Sequence, residues 1–251
     1  AVAPLPKALV GMAAAAYGGK VNAFGGSGSG GDSVQSYVYD PASDRWSTVA
    51  PLPASKAVFA QAVALGDYIY LAGGWPAVHD LWRYDPASDA WAALAPMNAG
   101  RHSFAFVASA DGYLYAAGGG NADDALASVE QYDPARDVWS ALPSLQTAER
   151  AGAAGAYVDG RFYVLGGAAS FPTRRVEILE LDIPLSGSHL SVDAPDCQWD
   201  ELLTYEITLR NPAASARQVA WTHILPPELT YVEGSASAGV QFIPQSRTLR
   251  W

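Results

Sequence analysis

The sequence predicts an all-β fold, with a repeated unit over residues 1–184 and a different β unit over 185–251. Three observations predict it. Double glycines recur at Gly25-Gly26, Gly73-Gly74, Gly118-Gly119 and Gly166-Gly167, spaced 48, 45 and 48 residues apart, each just after a short apolar run. Tyr-Asp-Pro recurs at Tyr39-Asp40-Pro41, Tyr84-Asp85-Pro86 and Tyr132-Asp133-Pro134, with Trp46, Trp91 and Trp139 each six residues beyond the Asp. From Leu185 the repeat stops.

Each unit reads in one order. An apolar strand and a turn lead to the strand that ends in Gly-Gly (VNAF, YIYLA, YLYAA and FYVL in the four units). A loop follows, then a strand ending in Tyr-Asp-Pro, a turn, a Trp strand and a proline turn (Pro51-Leu52-Pro53, Pro96-Met97, Pro143-Ser144-Leu145). Pro4-Leu5-Pro6 repeats that last turn. Four short strands in a period of about 45–50 residues match one blade of a β-propeller. A single blade cannot bury both faces of its sheet, so blades must pack side by side. Diglycines let backbones approach where side chains have no room. Pro and Asp in Asp-Pro-Ala-Ser-Asp suit a turn, and Tyr and Trp supply apolar area between blades.

These residues resemble the kelch repeat family over about residues 1–184. The basic position before the first strand reads Lys7, Lys56, Arg101 and Arg150. The fourth unit departs after Gly166-Gly167, running to Leu179-Glu180-Leu181-Asp182-Ile183-Pro184 without Tyr-Asp-Pro or Trp. It is expected as a three-stranded blade whose outer strand comes from elsewhere. The resemblance implies six or seven blades and closure by the opposite end of the ring. Four units therefore lead us to expect a piece of a longer protein.

In the second unit, Leu203 to Leu209 alternates apolar and polar residues as a half-buried strand does. Further strands are expected at Gln218 to Ile224 and, after Pro226-Pro227, at Leu229 to Gly234. Short strands at this spacing suggest a β-sandwich. The D-E-L-x-T-Y-x-I-T-x-x-N core and the following L-P-x-x-L-T-Y-V resemble the bacterial immunoglobulin-like "conserved repeat" module of cell-surface proteins. That resemblance, over about 188–251, implies a secreted or surface-attached protein and a module that continues past Trp251. The signal and anchor would then lie outside this segment.

Composition narrows the function. Lys+Arg is 15 against Asp+Glu 25, a formal net charge of −10, and no basic stripe suits a nucleic acid. No run of 18 apolar residues suits a membrane span, and residues 1–16 show no charged n-region or cleavage site. One cysteine, Cys197, rules out an internal disulfide or a cysteine-built metal cluster, and His79, His102, His189 and His223 show no ligand spacing. Cys197 also lies outside the propeller, where the Tyr–Cys copper chemistry of some kelch-type oxidases would need it. The run Gly25 to Gly31 lacks the Lys-Ser/Thr of a phosphate loop, and Asn121 to Asp124 lacks the spaced ligands of a calcium loop. No catalytic residue, metal or cofactor is expected.

Propellers bind through loops on a face, because strands are committed to packing. The loops after the diglycines offer Trp75, His79, Asn121, Asp123, Phe171 and Arg174 as the candidate binding surface. Lys56, Arg101 and Arg150 form an alternative basic face, unless each pairs with a neighbouring carboxylate. The resulting expectation is a non-catalytic module that binds protein or glycan at the cell surface or outside the cell. Its rivals are a sugar oxidase, epimerase or lyase using a propeller pocket, and a structural spacer in a repetitive surface protein.

Overall fold

A computed structural model describes residues 2–53, 57–121, 124–146, 151–168 and 172–180, together with five short strands of the C-terminal part. The chain divides into two compact units, Ala1–Ile183 and Pro184–Trp251.

The first unit is a succession of four antiparallel sheets. The first contains β1 (Ala13–Tyr17), β2 (Lys20–Phe24), β5 (Ser36–Asp40) and β6 (Arg45–Val49), with a small hairpin, β3 (Ser27–Gly28) and β4 (Gly31–Asp32), in its long loop. The second contains β7 (Gln61–Leu65), β8 (Tyr68–Ala72), β9 (Leu81–Asp85) and β10 (Ala90–Leu94). The third contains β11 (Ala105–Ala108), β12 (Leu114–Ala117), β13 (Val129–Asp133) and β14 (Val138–Leu142). Among the described residues the fourth has three strands: β15 (Ala154–Val158), β16 (Arg161–Leu165) and β17 (Val176–Glu180). The inner strands β1, β7, β11 and β15 pack in sequence, so the sheets are propeller blades.

Side chains alternate across a strand, and in the second and third blades both faces are buried, each against a different blade. In β8, Ile69 and Leu71 join Ala13, Ala15 and Phe24 of the first blade. Tyr70 and Ala72 face the other way, joining Phe104, Phe106, Leu114 and Ala116 of the third. Ala105, Val107, Tyr115 and Val129 of the third blade then join Phe162 and Val164 of the fourth. Each fully buried residue of this size contributes roughly 1.5–3 kcal/mol. The apolar residue of each proline turn plugs one of these cores: Leu52 is buried between the first and second blades, Met97 between the second and third, and Leu145 between the third and fourth. The fourth blade's other face stays open, with Val158, Leu165, Val176 and Ile178 each 39–52% exposed.

The Tyr-Asp-Pro segment has two acidic roles. Asp40, Asp85 and Asp133 accept the amides of Ala42, Ala87 and Ala135 within the turn, each at 2.9 Å. The second Asp of the turn, at 44, 89 and 137, takes a left-handed backbone (φ 50–54°) and fastens blade to blade. It accepts the Tyr39, Tyr84 or Tyr132 hydroxyl at 2.6–2.7 Å. It also accepts the amide of Ala3, Ala50 or Ala95 at 2.7–2.8 Å. The tryptophan completes the clasp. Trp46, Trp91 and Trp139 donate Nε1–H to the carbonyls of the same Ala3, Ala50 and Ala95, at 3.0, 3.1 and 2.9 Å. Of these rings, expected to supply apolar cover between blades, only Trp139 is buried, at 6% exposure; Trp46 and Trp91 are half-buried.

In the second unit, β18 (His189–Val192) pairs with β19 (Tyr205–Thr208), and β22 (Thr248–Arg250) lies between β20 (Thr222–Ile224) and β21 (Gln241–Ile243). Strands β19 and β20 fall inside two expected strands. The expected strand from Leu229 to Gly234 lies outside the described residues.

Candidate functional site

Every blade starts its inner strand at the end where its second strand finishes in Gly-Gly, as the Ala13↔Phe24, Gln61↔Ala72, Ala105↔Ala117 and Ala154↔Leu165 pairs show. The long loops and the crossovers between blades therefore gather at one end of the propeller. The Asp-Pro turns close the opposite end.

A chain of backbone hydrogen bonds ties the loop end together. Phe59 N–H donates to Gly11 O at 2.8 Å, Ser103 N–H to Phe59 O at 2.9 Å and Gly152 N–H to Ser103 O at 2.6 Å. Each of these residues lies two positions before its blade's inner strand. All four are left-handed, with φ between 50° and 71°. The diglycines fit the same crowding: a Cβ on Gly73 would strike Arg101 O, and one on Gly119 would lie 2.7 Å from His102 O and from Phe104 Cβ.

Trp75 follows the second diglycine and is 51% exposed. Its amide donates to Val58 O at 2.7 Å, which joins its loop to the crossover that carries Phe59. Its ring meets His102 of the third blade edge-on, with centroids 4.8 Å apart. Burial lowers the pKa of His102, favouring the neutral imidazole. Its Nδ1 lies 3.2 Å from Ser103 Oγ. His79 is exposed, with Nδ1 2.9 Å from Met97 O. Asn121 accepts the Asp124 amide on Oδ1 at 2.7 Å and so closes its own turn. Arg174 is exposed on the fourth blade's loop. Asp123 and Phe171 lie outside the described residues.

The alternative basic face is corrected at Arg101, which is fully buried. Its guanidinium donates to Gly118 O at 2.7 Å, Ser128 O at 3.0 Å, Ser128 Oγ at 3.0 Å and Glu130 Oε1 at 2.6 Å. Glu130 in turn accepts the Asn98 amide at 2.8 Å and the Ala99 amide at 3.1 Å. A buried charge needs a partner, and this pair is an internal strut of the third blade. In the fourth blade Glu177, the counterpart of Glu130, accepts the Gln146 amide at 2.7 Å. Lys56 and Arg150 lie outside the described residues.

Among the described residues, no three His, Cys, Asp or Glu side chains converge to hold a metal ion. No helix there is long and apolar enough to cross a membrane. Sequence reasoning missed Phe59. Counting fourteen residues back from each diglycine sets it against Gly11 and Gly152, but against Phe104 in the third unit, which is one residue longer there; its structural counterpart, Ser103, is found only from the backbone hydrogen bonds.

Comparison with known proteins agrees with the repeat. The Kelch motif profile matches residues 8–53, 57–98 and 101–146, just over half of the chain. The chain therefore belongs to the kelch-motif family. The fourth blade, which lacks Tyr-Asp-Pro and Trp, lies beyond the matched spans. Kelch-like protein 35 of Mus musculus is 40% identical over 77 residues, which is 30% of this chain and 13% of that protein. The solved structure of YjhT aligns with a TM-score of 0.58 at 17% identity, covering 71% of this chain and 67% of that one. This likeness is one of fold.

Proposed function

We propose that this chain is a non-catalytic recognition module that binds a protein or glycan partner through the loop end of its propeller. The observation that carries the reading is Trp75. A large aromatic held half-exposed by a backbone hydrogen bond is costly to leave in water and favourable to cover. It stands at the end of the propeller where the long loops gather, on the same loop as His79. The opposite end offers turns whose Asp side chains are already spent on their own amides. Kelch repeats serve widely as protein-interaction modules, which favours recognition over catalysis. The resemblance of residues 188–251 to the bacterial immunoglobulin-like module supports a secreted or surface-attached setting.

The test is a screen of a glycan array and a displayed peptide library with the whole chain. The variant carrying Trp75→Ala and Phe171→Ala is run beside it, checked to melt at the same temperature. We expect any ligand found to bind the variant at least tenfold more weakly. Unchanged binding would place the recognition surface elsewhere.

A further inference from the structure

We infer that His102 is an acid-sensitive latch. With its ring neutral it holds the Trp75 loop of the second blade and the Gly120 loop of the third in one arrangement, and on taking up a proton it lets the Trp75 loop go. This concerns the conformation of the loop end itself and stands apart from whether that end is the recognition surface.

Three observations converge. The first is the place of His102 in the repeat. Each blade ties the residue before its left-handed crossover position to the loop after its diglycine. Val10 bridges to Ser27, Val58 O accepts the Trp75 amide, His102 bridges to Gly120 and Ala151 bridges to Ala168. Val10, Val58 and Ala151 are aliphatic, so the joint needs no polar side chain. The third blade alone puts an ionisable ring there.

The second is what that ring touches. It meets Trp75 of the second blade edge-on, with centroids 4.8 Å apart. On its own blade it lies against Gly120, where a Cβ would come within 2.8 Å of Nε2. Its Nδ1 is 3.2 Å from Ser103 Oγ. One imidazole thus touches both loops and the crossover between them.

The third is charge. The ring is half-buried, and burial favours its neutral form, outweighing the Asn121 backbone, which favours the charged one. The ionisable groups on the neighbouring elements are Arg101, held by Glu130, His79, with Nδ1 on Met97 O, and the exposed Asp80 and Asp124. Among the described residues no carboxylate forms an ion pair with the ring. A closed joint that takes up a proton less readily than the solvated ring opens as the pH falls. The contact is therefore complete above 6.5, the ordinary value of the ring, and weakens below it.

The experiment is an NMR titration of the whole chain from pH 7.5 to 5. It follows the His102 Cε1–H and the indole N–H of Trp75 and Trp139, assigned with His102→Val, Trp75→Phe and Trp139→Phe. We expect the Trp75 signal to move with the His102 midpoint, which should lie below 6.5, while Trp139 stays still. Protection of the Trp75 amide against exchange should fall about threefold or more over the same range. His102→Val supplies the kind of side chain that the other blades use, and both pH responses should vanish in it. His102→Gln should behave likewise, and keeps the test in force should the aliphatic side chain disturb the loop. A Trp75 signal that ignores the His102 midpoint, or that still responds in the variants, would overturn the inference. So would a His102 midpoint at or above 6.5. A shift of Trp139 together with Trp75 would mean that the blades themselves give way, and would overturn a local latch.

Discussion

The Asp at the end of each Asp-Pro turn decides more than its own turn. Asp137 holds the Tyr132 hydroxyl and the Ala95 amide, and these two donors keep its carboxyl below the usual range. Asp44 is lowered likewise, first by the Ala3 amide and then by Tyr39. The sign follows directly. A carboxyl with a lowered folded pKa adds stability that is present above the unfolded value, 3.8, and lost as the pH falls through the folded one. Asp137→Asn should therefore lower the melting temperature at pH 7, and the gap from wild type should narrow as the pH falls below 3.8. Parallel melting curves from pH 3 to 7 are the check; a constant gap would mean that the charge is irrelevant. Arg101 and Glu130 are a sharper case. Removing one partner strands the other in the core, so Glu130→Ala should cost about 3–5 kcal/mol in denaturant unfolding. Arg101→Lys should recover little, because an ammonium cannot reach four acceptors held in a fork. An Arg101→Ala protein as stable as wild type would return that residue to the basic face.

At the scale of the strand and turn, the Tyr-Asp-Trp clasp joins each blade to the strand end before it. The three tryptophans make the same hydrogen bond but differ in burial, so their replacement should be graded. Trp139→Ala should cost about 3–5 kcal/mol, the range for a buried aromatic. Trp46→Ala and Trp91→Ala should cost less, and Trp→Phe at any of the three should cost about 1 kcal/mol for the lost N–H bond. Denaturant midpoints for the series check this; equal losses at all three sites would show that burial does not set the cost. Much of this scale was legible in the sequence. Gly-Gly, Tyr-Asp-Pro and Trp are one-residue solutions to local problems of close approach, turn geometry and sheet cover, so they recur in register. The second turn Asp was visible as a turn former, but its bond to the preceding blade joins residues about 40 apart and leaves no local pattern. Arg101 looked like a surface charge for the same reason: its partner Glu130 lies two strands away. Phe59 was hidden because its position is defined by backbone conformation, which the surrounding letters do not display.

At the scale of the propeller, the middle blades bury both faces and the fourth buries one. Val176, Ile178, Leu165 and Val158 lie on the open face, at positions like those that bury Val129 and Ala117 against the fourth blade. A contiguous apolar sheet face of this kind drives association. Val176→Lys with Ile178→Lys should reduce concentration-dependent self-association in light scattering without lowering the melting temperature. Unchanged association would assign it to another surface. The two ends of the propeller differ in kind: Asp-Pro turns spent on internal bonds close one, and loops holding Trp75, Phe59 and Arg174 crowd the other. Amide hydrogen exchange tests this division most directly, using the tightest binder recovered from the peptide and glycan screens. Slowed exchange is predicted at 57–60, 73–79 and 100–103, with none at 40–44, 85–89 and 133–137. Protection concentrated in the Asp-Pro turns would contradict the account.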